Sequence, residues 1–157
     1  VRDLLLDRNV FWVADQTYLM VALVTGLIVF FVVRRTNLPP QLFLIPDAIG
    51  LALFTIAGTQ IALQWHVPWL AASLMGVITG VVGGGLRDIL CNDVPSVFLK
   101  GELYATAAWA GAISLIVLQE SGLAAVNATW AAMGIVILLR GLSLRFGLTL
   151  PALGGPR

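Results

Sequence analysis

The sequence predicts an all-α polytopic membrane protein, organised as two inverted three-helix repeats followed by a final helix. Three observations predict it. Of the 157 residues, 59% are hydrophobic and 11% charged, with mean hydropathy +0.97; a soluble domain carries about 25% charged residues. Five apolar runs have the length needed to cross a hydrocarbon core of roughly 30 Å. A short segment also recurs across an odd number of those runs. Its first copy reads Arg2-Asp3-Leu4-Leu5-Leu6, Phe11-Trp12 and Tyr18, and its second Arg87-Asp88-Ile89-Leu90-Cys91, Val97-Phe98 and Tyr104. The registers agree up to one inserted residue before the tyrosine. Copies separated by an odd number of crossings sit on opposite faces of the membrane, the mark of an inverted repeat.

The runs are 16–33, 46–64, 69–90, 101–118 and 123–143. The first ends at Arg34 and Arg35. The second opens on Pro46 and Asp47 and contains Gly50-Leu-Ala-Leu-Phe-Thr-Ile-Ala-Gly58, which has no polar face at helical spacing; a soluble bundle would need one. The turn His66-Val67-Pro68 leads into the third. Lys100, Glu102 and Tyr104 begin the fourth, and the loop around Glu120-Ser121 leads to the last. There Ala124, Ala125, Ala128, Ala131, Ala132 and Gly134 would support close helix contact. Trp12, Trp65 and Trp69 read as interfacial anchors.

In the second copy the Arg-Asp pair is preceded by two spans, 46–64 and 69–90, whereas the first copy starts at Arg2. The expectation is therefore a parent of seven spans, the first two lying ahead of Val1. Residues 1–35 would be the C-terminal part of the first repeat, 36–45 a linker, 46–118 the second repeat, and 119–157 the final helix and tail. Lys and Arg placement sets the orientation. Arg34, Arg35, Arg87, Lys100, Arg140, Arg145 and Arg157 fall on one side, and only Arg2 and Arg8 on the other. The positive-inside rule makes the first side, and with it the C-terminus, cytoplasmic. A net charge of +1 gives no reason to expect nucleic acid as a partner, and the single cysteine, Cys91, cannot form an intrachain disulfide.

The segment 69–90 carries the most chemistry. Ala72, Gly76, Gly80 and Gly84 recur every four residues and line one helix face, and close packing is the reading for the first three. Gly83-Gly84-Gly85 is read differently. Each glycine costs roughly 1 kcal/mol relative to Ala in a helix, so three in a row point to a kink or unwound turn. Freed backbone groups at membrane depth would require a cavity, whose carbonyls could hold a cation or whose N–H groups an anion.

Arg87 and Asp88 follow directly. Neighbours in a helix point about 100° apart, so each is expected to find another partner. Two readings of the pair stay open: an intramembrane functional pair, or two charges snorkelling at the interface. Recurrence as Arg2-Asp3 points to a structural or pore-associated role. Asp47 also has two readings, complementing a helix N-terminus or concentrating cations at a cytoplasmic mouth. Thr55, Thr59, Ser73 and Thr79 could line a hydrated path, or each could bond back to its own helix. Gly58 would permit close packing or a bend. His66 is lone at a turn and is not read as a ligand. No HExxH, GxSxG or GxxxxGK[ST] pattern is present, and Cys91 and His66 fall on opposite membrane faces, so no enzymatic activity is expected.

Asp47-Ala-Ile-Gly50-Leu-Ala-Leu-Phe54-Thr-Ile-Ala-Gly58, Gly76, Thr79 and Gly83-Gly84-Gly85-Leu-Arg87-Asp88 resemble the bacterial membrane proteins built from two tandem glycine-transporter-type (UPF0126-like) domains. Those are relatives of the trimeric intracellular cation (TRIC) channels. The resemblance covers the chain to about residue 118. It implies seven spans in two inverted repeats plus a final helix, glycine-broken helices beside the pore, and homotrimers with one pore inside each subunit. It further implies permeation by monovalent cations, chiefly potassium, with no cofactor, in the bacterial inner membrane. Glycine transport is the alternative it carries. The candidate pore or helix-break residues are then Gly58, Ser73, Thr79, Gly83, Gly84 and Gly85, and the charged mouth or structural residues Asp47, Arg87, Asp88, Arg2 and Asp3. A purely structural membrane scaffold is the third class.

Overall fold

The structure, a computed structural model, describes residues 3, 13, 15–35, 44–90 and 103–146. Five long helices run through them: α1 Thr17–Arg35, α2 Leu44–Gln64, α3 Trp69–Leu90, α4 Tyr104–Glu120 and α5 Ala125–Phe146. Each expected span is a helix, displaced by no more than three residues at either end. Three of them, Leu44–Gln64, Trp69–Ile89 and Ala125–Phe146, are long and apolar enough to cross a membrane, and Thr17–Val32 is a shorter apolar helix. With 17 residues, α4 spans roughly 26 Å, the lower edge for a crossing.

The chain divides into two compact units, Val1–Ile45 and Pro46–Arg157. In the first, Gln16 C=O accepts the N–H of Met20 at 3.0 Å and so begins α1. Asp15 Oδ1 accepts the otherwise orphaned N–H of Thr17 at 2.9 Å. Hydrogen bonding from the Thr17 side chain, and then from its backbone N–H, holds the Asp15 carboxyl below its usual range, so its support for α1 is present at neutral pH and fades as pH falls through the lowered pKa. Arg34 and Arg35 occupy the last turn, where cations complement the helix dipole.

The second unit packs α2 to α5 together. Leu51 and Ala52 of α2, Tyr104 and Ala108 of α4 and Val136 of α5 form one buried cluster, with Val77 and Val81 of α3 against it. Ile56, Leu115, Ala128 and Ala132 form a second. Small residues set the spacing. A side chain at Gly111 would run into Val136 across the α4–α5 contact, and Ala72, Ala108, Ala112, Ala128 and Ala132 are fully buried. In lipid, where apolar area gives no preference for protein over solvent, such close approach is what holds helices together.

Residues 69–90 are helical without interruption, which corrects the expected break at Gly83-Gly84-Gly85. The penalty of the triplet is offset by packing at its middle member, since a Cβ on Gly84 would collide with the Tyr104 hydroxyl, while Gly83 and Gly85 have nothing within 4 Å of a Cβ.

The two inter-helix turns of this unit among the described residues close with the same hydrogen bonds. After α2, His66 N–H reaches Leu63 C=O at 2.9 Å and Val67 N–H reaches Ala62 C=O at 3.2 Å; after α4, Gly122 N–H reaches Gln119 C=O and Leu123 N–H reaches Leu118 C=O, both at 3.1 Å. This pairing needs a left-handed residue, normally glycine, just past the helix. Gly122 meets the need at φ +85°, and His66 meets it at φ 57°. A left-handed residue with a Cβ costs about 1–2 kcal/mol. His66→Gly is therefore expected to raise stability by about 1 kcal/mol, less what the freer unfolded chain returns. Thermal unfolding in detergent checks this, and an unchanged or lowered midpoint would show that the imidazole itself contributes.

Candidate functional site

Four helix segments of the second unit bring their charged and aromatic groups to one end of the bundle. Asp47 stands in the first turn of α2, where a carboxylate complements the helix dipole. Pro46 precedes it, tolerated because a first-turn residue needs no N–H partner. Arg87 stands in the last turn of α3, the cationic counterpart. Tyr104 opens α4 and Arg140 lies in the last third of α5.

Arg87 Nη1 meets Asp47 Oδ1 at 2.9 Å. The same guanidinium folds back on its neighbour, with Nη2 at 2.6 Å and Nε at 3.0 Å from Asp88 Oδ1. The expectation that adjacent helical residues would not pair is thus corrected. The long arginine stem swings its planar fork across the 100° between the two Cβ directions, while Nη1 remains free to reach α2. Burial is unequal: the Asp47 side chain is 4% exposed and that of Arg87 43%. The guanidinium spans water and a buried carboxylate, as snorkelling would have it.

Tyr104 completes the arrangement. Its hydroxyl donates to Asp47 Oδ1 at 3.3 Å, and its ring lies under the Arg140 guanidinium, whose Cζ is 4.8 Å from the ring centroid. Arg140 is 1% exposed. A desolvated cation over an aromatic face is worth about 2 kcal/mol. Gly84 is the floor on which the phenol rests.

Asp47 is therefore a buried and paired carboxylate that ties α2 to α3 and α4, not an open mouth charge. Asp88 is buried beside Arg87, and Asp3 is helical and buried. Arg2 lies outside the described residues, as do Cys91, Lys100 and Glu102. The two residues that sequence reasoning undervalued are Tyr104, placed only in the repeat and at the start of the fourth run, and Arg140, counted only toward orientation. The available signal was an arginine well inside an apolar span.

Of the remaining candidates, Gly58 and Thr79 lie along the seam between α2 and α3, and Ser73 of α3 meets α4. A Cβ on Gly58 would stand 3.0 Å from Gly76 Cα and Thr79, one on Gly76 would run into Thr59 and the Thr55 carbonyl, and one on Gly80 into Thr55. The packing expected of Ala72, Gly76 and Gly80 is what the structure has. Three of the four hydroxyls bond back to their own helix: Thr59 to Thr55 C=O at 2.9 Å, Ser73 to Leu70 C=O at 2.7 Å and Thr79 to Met75 C=O at 2.7 Å. Ser73 also accepts the Trp109 indole N–H at 3.2 Å, joining α3 to α4. Gln60 donates to Thr129, joining α2 to α5.

Over 154 residues the chain is 38% identical to the UPF0126 inner membrane protein YadS of Escherichia coli, matching 96% of this chain and 74% of that one. The chain belongs to the UPF0126 membrane protein family. A UPF0126 membrane protein of Vibrio cholerae is 37% identical over 156 residues, covering 64% of its length. Residues 44–120 of this UPF0126 chain, which hold Asp47, the glycine seam, Arg87 and Tyr104, match the glycine transporter domain family. Among solved structures, the TRIC trimeric intracellular cation channel orthologue from Rhodobacter sphaeroides is 36% identical with TM-score 0.84, over 94% of this chain and 76% of that one. A second TRIC cation channel is 27% identical with TM-score 0.84, over 99% and 77%. The UPF0126 chain thus has the all-helical TRIC fold and is a multi-pass membrane protein.

Proposed function

We propose that this chain is part of a monovalent-cation channel of the bacterial inner membrane, conducting chiefly potassium as a homotrimer with a pore in each subunit and its C-terminus cytoplasmic. The observation that carries this reading is the likeness to the Rhodobacter sphaeroides TRIC channel orthologue, 36% identical and superposing at TM-score 0.84 over 94% of the chain. Likeness this close in both sequence and shape supports a shared function. Buried Asp47, Asp88 and Arg140 agree with it, because charges within a membrane are costly and persist where they serve conduction or its control. The division into repeats belongs to the same proposal, with 1–35 closing a first repeat, 46–118 forming an inverted second, and 119–157 the final helix and tail.

The glycine transporter match over residues 44–120 favours a second reading, a carrier for a small amino acid. One experiment separates them. The natural full-length protein, reconstituted into liposomes, is expected to carry potassium down its gradient with sodium and potassium both permeant, and to accumulate no labelled glycine. Glycine uptake without potassium flux would establish the carrier instead.

A further inference from the structure

Of the hydroxyls of Thr55, Thr59, Ser73 and Thr79, that of Thr55 differs from the rest. Thr55 is 0% exposed, yet its Oγ1 has no hydrogen-bond partner among the described residues. It does not bond back to its helix as Thr59, Ser73 and Thr79 do. A threonine in a helix has that back-bond within reach, so its absence at full burial marks a group placed at a cost. Oγ1 lies against Gly80, where a Cβ would collide with it.

The surroundings are rich in oxygen. The Leu51 carbonyl faces the same glycine, at 3.1 Å from the position of a Cβ, and the Thr55 carbonyl faces Gly76 at 2.6 Å from the equivalent position. Each helical carbonyl keeps a lone pair beyond its backbone bond; that of Thr55 accepts the Thr59 hydroxyl at 2.9 Å, whose own oxygen faces Gly76. If α2 and α3 part at this level, the α3 side presents bare glycines. The α2 side presents the Thr55 and Thr59 hydroxyls and the Leu51 carbonyl.

We propose that Thr55 Oγ1, with the Leu51 carbonyl and the Thr59 hydroxyl oxygen, is an oxygen site for a partly hydrated monovalent cation, uncovered when the α2–α3 seam opens. The proposal rests on the channel reading. In the closed seam the hydroxyl is unsatisfied and disfavours closure; in the open seam water or the ion satisfies it. The seam is thereby biased toward opening by a single residue. Oxygen ligands of this kind suit hard cations with one charge, since no carboxylate lies within the group.

The test is Thr55→Val in the natural full-length protein, because valine keeps the shape and loses the hydroxyl. Two measurements are made: potassium flux into vesicles of phosphatidylethanolamine and phosphatidylglycerol, and thermal unfolding in detergent. Removing an unsatisfied buried hydroxyl favours the closed seam, so flux is expected to fall by about tenfold, while the unfolding midpoint rises. Thr55→Ser is expected to recover flux relative to the valine variant. Wild-type flux in Thr55→Val would overturn the proposal, and so would a lowered midpoint, which would reveal a hydroxyl already bonded in the closed protein. Wild-type protein that carries no potassium would remove the channel reading and this site with it. Normal wild-type flux with an unaffected valine variant removes only the site.

Discussion

Alanine substitutions along α3 are expected to split sharply by position, although the glycines look alike in sequence. Gly76→Ala should be the most damaging, since its Cβ would enter the Thr55 carbonyl and Thr59, and backbone cannot step aside without moving α2 as a whole. Gly84→Ala should follow. Its Cβ would strike the Tyr104 hydroxyl, and the ring cannot swing away because it is buried beneath Arg140. Overpacking of this kind costs about 1–3 kcal/mol, and Gly84→Ala would also displace the phenol from Asp47, a further loss of about 1 kcal/mol. Gly83→Ala and Gly85→Ala meet open space and should stabilise α3 by roughly 1 kcal/mol each through helix propensity. Denaturation of the four single variants in detergent measures the split. Equal tolerance at all four sites would mean that α3 does not approach α2 and Tyr104 as described.

Arg87→Met is expected to destabilise the protein by about 1–3 kcal/mol. The loss arises because Asp47 would keep its buried position without the cation that compensates it, and breaking a buried pair from one side is costly. The value sits below that of a fully enclosed pair because the Arg87 side chain is 43% exposed and water screens part of the interaction. Asp47→Asn should lose less, since an amide still accepts the Tyr104 hydroxyl and carries no charge to strand. The double variant Asp47→Asn with Arg87→Met should recover part of the Arg87→Met loss, giving a coupling of about 1 kcal/mol or more in a double-mutant cycle. Additive effects within about 0.5 kcal/mol would show that the contact ties nothing together.

The sequence by itself determined the solvent and the elements. Length and apolarity of the five runs are local properties, and a bilayer leaves a backbone little choice but the helix because every N–H and C=O must be satisfied within the segment. It also singled out Asp47, Arg87 and Asp88, which the structure joins in ion pairs, because charges next to apolar runs are conspicuous. What it could not supply were their relationships. Tyr104 and Asp47 are 57 residues apart, and whether a carboxylate is an open mouth charge or a buried clasp depends on what the other helices set beside it. The same holds for the glycines. Helix propensity, a property of the isolated segment, predicts a break at Gly83-Gly84-Gly85, but the contact of Gly84 with Tyr104 acts only in the assembled bundle and offsets it. The four hydroxyls are equivalent in sequence as well. Thr55 and Thr59 each meet an α3 glycine across the seam, yet Thr59 bonds back to its helix and Thr55 does not, because satisfaction depends on how each side chain is set in the packed bundle rather than on residue type.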